Sequence, residues 1–201
     1  MTTLRSVLRG AAVILGLGFT WSLPAHGEVA PIAEDELNAL LAVKVRAVRH
    51  MALNPTVLRA VRKQNAIGMA PEEIARRDEA WRATKEVTEF KRSLLENSAG
   101  RFLRSHVERN SSVNEAFLTD GQGANVAAFP PTSDYFQGDE AKWSESFNGG
   151  NGRVWIGPVE RDESTNVTAV QISAPVLHNG TTIGVLVVGV TLDYVSSRAG
   201  K

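Results

Sequence analysis

Near residue 110 the spacing of apolar residues changes from every third or fourth position to every second, and this change constrains the fold more than any other feature. Upstream, Leu37, Leu40, Leu41, Val45, Val48 and Ala52 recur at helical spacing and make one apolar stripe. Asn54-Pro55 interrupts the stripe, because proline has no amide for the preceding turn, and a shorter helix restarts there with Val57, Leu58 and Val61 on one side. Pro71 followed by Glu72-Glu73 opens a second long helix, whose Ile74, Trp81, Val87, Phe90 and Leu94 carry it to about Asn97. A last helical piece covers 101–109, with Phe102, Leu103 and Val107 inward. Downstream, residues 113–119, 125–129, 153–160, 166–175 and 183–192 are rich in Val and Ile and separated by Gly, Asn and Asp, so they read as five strands. Asn179-Gly180 is a hairpin turn, and the apolar run 183–192 suits a central strand covered on both faces. Helices over 33–109 followed by an antiparallel meander over 113–192 predict an α+β fold.

The ends and the composition narrow the function. Arg5 and Arg9 precede an uncharged apolar run, 11–23, and Ala25-His26-Gly27 supplies small residues for cleavage, so 1–27 reads as a secretory signal peptide and 28–201 as a single domain. The expected location is therefore periplasmic. An uncleaved anchor is the secondary reading, since the run is short for a span. Residues 1–27 hold two of the 22 basic residues and none of the 22 acidic ones, leaving 20 against 22, about −2. That balance excludes nucleic acid as a partner, because phosphate binding needs a basic surplus. With no cysteine there is no disulfide, thiolate nucleophile or thiolate metal site.

Segment 113–143 carries the candidate binding chemistry. A strand ends at Asp120, Gly121 and Gly123, a second strand follows at once, and Pro130-Pro131 stops the ladder. The polar loop beyond holds Asp134, Tyr135, Gln137, Asp139, Glu140 and Trp143, and aromatics mixed with carboxylates between strands are the usual lining of a small-molecule pocket. Tyr135 and Trp143 either line that pocket or pack the loop onto the sheet; Asp134 belongs to the same loop, and Asp139 and Glu140 read as turn carboxylates. On the third strand Arg153 and Trp155 share a face, where the Arg153 fork could hold a carboxylate, and Ser173 offers a hydroxyl. No metal or cofactor is expected: Asp134 and Asp139 lack calcium-loop spacing, and His50, His106 and His178 lie far apart. No nucleophile elbow, phosphate loop or dinucleotide fingerprint occurs, so no catalysis is expected.

Taken in order, ALNPTVLRAVRKQN, FLTDGQGANVAAF, TSDYFQGDEAKW, RVWIGPVERDES and QISAPVLHNGTTIGVLVVGVTL resemble the Cache family of extracytoplasmic, PAS-like sensor domains. The resemblance implies long N-terminal helices packed on a five-stranded antiparallel sheet that binds a small organic ligand. It also implies an acidic residue near the end of the third strand for a ligand amine, a place held here by Asp162. Cache domains usually sit between two membrane helices and signal to a kinase, cyclase or chemoreceptor module. For a chain ending at Lys201, the expectation is a free-standing exported sensor read by a membrane histidine kinase or chemoreceptor, with the long helices suited to a homodimer. The alternative is a structural or accessory subunit whose sheet binds nothing.

Overall fold

A computed structural model describes residues 34–162 and 167–192. The signal-peptide expectation for 1–27 therefore lies outside the described residues. The helices come first: α1 (Glu34–Ala52), α2 (Pro55–Asn65), α3 (Pro71–Arg82), α4 (Glu89–Glu96) and α5 (Ser98–Arg109). Strands β1 (Val113–Thr119) and β2 (Asn125–Phe129) follow, then a helix α6 (Ala141–Phe147) and strands β3 (Trp155–Ile156), β4 (Glu160–Asp162), β5 (Val167–His178) and β6 (Thr181–Thr191). None of the described helices is long and apolar enough to cross a membrane.

All strand pairs are antiparallel, and the sheet runs β2-β1-β6-β5-β3 with β4 also paired to β5. The fold is the expected α+β arrangement, five strand positions wide. The fifth position differs from the single strand expected over 153–160: β3 and β4 share one edge of β5, separated by Gly157, Pro158 and Val159. Pro158 has no amide to give to a ladder, so the edge breaks there. The Asn179-Gly180 turn joins β5 to β6 with both residues at positive φ, 51° and 82°, as a two-residue hairpin requires.

One face of the sheet carries the main core. Ala116, Leu118, Ile172, Leu186 and Val188 point toward α1, α2 and α5 and pack on Val48, Val57, Val61 and Leu103. The break between α1 and α2 falls at Asn54, whose side chain accepts the Thr56 amide at 2.8 Å. The second long helix is instead two. Thr84 accepts the Glu86 amide at 3.1 Å, Thr88 caps α4 through the Lys91 amide at 3.3 Å, and the buried Lys91 ammonium donates to the Thr84 carbonyl. Hydroxyls that bond nearby backbone offer an alternative to the helix, and here two of them win over the apolar period. α3 and α4 then pack through Trp81, Phe90 and Tyr135 as a separate cluster.

The β1–β2 hairpin turns on Asp120, whose Oδ1 accepts the amides of Gln122 and Ala124, both at 2.9 Å. Burial holds its pKa above the ordinary 3.8, against the lowering effect of these donors. With the folded pKa raised, the contribution to stability is complete below the unfolded value of 3.8 and is lost as pH rises through the raised value. Asp120→Asn keeps the acceptor oxygen without the buried charge. It is expected to match or exceed the parent in melting temperature at neutral pH, with the difference closing as pH falls to about 3.5. A parent that gains on the variant as pH rises would contradict this.

Candidate functional site

The opposite face of the sheet is polar at one end, and register explains why. Glu115 on β1 and Gln171 on β5 both pair with Gly189 on the central strand β6. Two strands apart, the ends of their side chains would normally be separated by the residue between them. Gly189 leaves that path clear: a Cβ there would stand 2.5 Å from Glu115 Cγ and 2.4 Å from Asn114 Oδ1. Gln171 Nε2 accordingly donates to Glu115 Oε1 at 2.8 Å across the glycine. The next row is Phe117, Val187, Ser173 and Trp155, apolar except for the serine, and α6 packs over its Phe117 and Val187 end through Trp143 and Phe147.

A cleft of about 610 Å³ stands on this polar row, within the usual range for small-molecule sites. Glu115, Gln171 and Gly189 form its floor, Glu140 and Lys142 come from the start of α6, and Trp155 and Glu160 come from the β3–β4 edge. Gly157 gives the Trp155 ring its room, since a Cβ there would lie 3.0 Å from the ring. Lys142 pairs with Glu140 at 2.7 Å and also lies 5.5 Å from the centre of the Phe117 ring. Three carboxylates thus face one ammonium, and that ammonium is already paired. The balance, beside an indole face, suits a cationic ligand group.

The residues singled out from sequence fall in several places. Trp155 lines the cleft, and Ser173 is its buried cross-strand partner, with a hydroxyl that has no hydrogen-bond partner. Trp143 is on α6, stacked on Phe147 at 4.6 Å and donating from Nε1 to the Asp120 carbonyl at 3.3 Å. Arg153 is exposed and paired with Glu145, with its Nε on the Glu145 carbonyl at 2.9 Å, before β3 begins. Asp134 receives the Gln137 side-chain amide and the Ser133 hydroxyl within its own loop. Tyr135 is 1 % exposed and packs in the α3–α4 cluster, 5.2 Å from Phe90 and 6.0 Å from Trp81. Tyr135 and Trp143 therefore belong to different clusters. Asp162 ends β4 opposite Val167.

Sequence reasoning passed over Glu115, Gln171 and Lys142. A signal existed: alternation places Glu115 on the same face as Phe117, and an interior glycine in the apolar run 183–192 marks a close approach. Among the described residues, no group of His, Asp and Glu is arranged to hold a metal ion.

No family model matches the sequence, and no curated protein matches it. Solved structures are similar to this chain to different degrees. The sensor domain of the V. cholerae histidine kinase DctB is 13% identical, with 80% of this chain and 52% of that one covered and a TM-score of 0.50. The ligand-binding domain of the Pseudomonas aeruginosa amino-acid chemoreceptor PctC, solved with GABA, is 13% identical over 82% of this chain and 64% of its own, with a TM-score of 0.37. The sensory domain of the Campylobacter jejuni chemoreceptor Tlp3, with isoleucine bound, is 14% identical over 82% and 66%, at 0.38. This chain spans about half the length of the DctB domain. The fold is that of the Cache sensor domains the sequence resembles.

Proposed function

We propose that this chain is an extracytoplasmic sensor domain that binds a small organic cation, such as an amine or quaternary ammonium compound, in the cleft over Glu115, Gly189 and Gln171. The observation that carries this reading is the charge of the cleft: Glu115, Glu140 and Glu160 against Lys142 alone, with Trp155 at the side. Trp155 supplies an aromatic face, and Glu115, fixed by Gln171, supplies the charge. Export follows from the 1–27 signal peptide, and occupancy is read by a membrane histidine kinase or chemoreceptor, with α1 as the dimer-forming helix. The chain performs no catalysis of its own.

A thermal-shift screen of the purified chain against amino acids, amines, quaternary ammonium compounds and carboxylates tests the reading, because a ligand that binds only the folded state raises the melting temperature. Cationic compounds are expected to raise it and simple carboxylates are not. Trp155→Ala should then weaken the best compound by about 1–2 kcal/mol, roughly five- to thirtyfold in Kd. If no cation stabilises the protein, the chain is better read as an accessory subunit.

A further inference from the structure

The cation of the sheet-face cleft stands apart from the other paired cations of the protein. Among the ion pairs of the described residues, the arginine side chains are 35 % to 69 % exposed, whereas that of Lys142 is 15 % exposed. Its ammonium lies 2.7 Å from Glu140 and 5.5 Å from the centre of the Phe117 ring, and Phe117 is itself 1 % exposed. The Lys142 stem therefore reaches from α6 down to the sheet. Helix stability does not ask for a lysine here. Lys142 is the second residue of α6, where the helix's own partial charge is positive and a cation is disfavoured.

This position sets Lys142 beside the ligand. Glu115 and Phe117 are two residues apart on β1 and point to the same face, roughly 7 Å along the strand. A ligand cation on Glu115 and the ammonium over Phe117 are then neighbours of like charge inside a cleft, where repulsion is screened less than on an open surface. Glu115 is fixed by Gln171, so it is Lys142 that yields. Its hold is slight: Glu140 is 36 % exposed, and so open an ion pair contributes little.

Lys142 is also joined to something that can carry the movement. Ala141 lines the cleft, and Trp143 stacks on Phe147 at 4.6 Å and donates to the Asp120 carbonyl at 3.3 Å. Asp120 Oδ1 in turn accepts the Gln122 and Ala124 amides of the β1–β2 turn. The first turn of α6 thus connects the cleft to that turn.

We infer that Lys142 is the residue that senses occupancy of the cleft, a role that rests on the cationic ligand proposed above. In the free protein its ammonium lies over Phe117 beside Glu140. A ligand cation on Glu115 drives it off the ring into solvent, and the first turn of α6 shifts with it, taking Trp143 along. Lys142 acts by being expelled.

Proton–carbon NMR of the full chain labelled at lysine Cε, titrated with choline and with putrescine, tests the assignment. In the free protein the Phe117 ring should displace the Lys142 ε-proton signal from those of the other lysines, and its absence from the Lys142→Met spectrum identifies it. Saturation with either probe is expected to return this signal to the common lysine position and to move the Trp143 indole signal. Lys142→Met keeps the stem over Phe117 without the charge. It should bind the same probe about threefold or more tightly and lose most of the ligand-induced shift at Trp143. A Lys142 signal unmoved at saturation, or equal or weaker binding by Lys142→Met, would overturn the inference and leave the cation site standing. Failure of both proteins to bind either probe would remove the site and the sensor together.

Discussion

Glu115→Gln is expected to weaken binding of a cationic ligand by about 1.5–3 kcal/mol, roughly tenfold to more than a hundredfold in Kd, while leaving the melting temperature of the free protein nearly unchanged. The substitution keeps the shape and an acceptor oxygen but removes the charge from the floor of the cleft. Glu115 is the carboxylate best placed for this role. Glu140 is occupied by Lys142, Glu160 is exposed at the sheet edge, and Glu115 is held in position by Gln171 across Gly189. Gly189→Val should produce the same loss of binding by another route. Its side chain would enter the space now shared by Glu115 and Asn114 and separate Glu115 from Gln171. Retained affinity in both variants, measured by titration calorimetry, would place the ligand elsewhere.

Trp81→Ala is expected to cost about 3–5 kcal/mol of stability, a large part of what a domain of this size has. Trp81 is 1 % exposed and joins three parts of the chain. Its ring meets Phe90 edge-on at 5.8 Å and Tyr135 at 6.0 Å, Lys91 lies 5.2 Å from its centre, and its Nε1 donates to the Thr132 carbonyl at 2.8 Å. Removing it leaves a cavity, an unmatched carbonyl in the loop after β2, and a buried lysine without its aromatic face. Urea unfolding of both proteins measures the difference, and a loss below about 1 kcal/mol would show that α3 is held mainly by other contacts.

The broad architecture was legible because local chemistry and long-range packing agree. Asn54-Pro55 breaks the helix by removing an amide, Asn179-Gly180 makes a turn by accepting positive φ, and the apolar run 183–192 becomes the strand with neighbours on both sides. Three features were hidden because a local competitor overrode the pattern. Thr84 and Thr88 divided the helix expected over 71–97, and Pro158 divided the last strand position. In the loop after Pro131, AKWSESF became a helix of seven residues, too short to show a period and stabilised by Trp143 and Phe147 packing on the sheet.

The binding site was only partly legible. Trp155 could be found because an aromatic on an edge strand is conspicuous. Glu115 and Gln171 could not be found together, because they lie 56 positions apart and meet only through the register of two other strand pairs. Tyr135 was conspicuous as an aromatic in a polar loop, yet the loop turns it toward α3 and α4, away from the sheet-face cleft.

The most direct test of the central claim is amide and indole chemical-shift mapping of the chain titrated with GABA, putrescine and choline. A ligand whose ammonium group is bound over Gly189 should shift the Trp155 indole together with the amides of Gly157, Gln171 and Gly189, and leave the Trp81 indole in place. An absence of shifts with all three, or shifts confined to residues outside this cleft, would contradict the account.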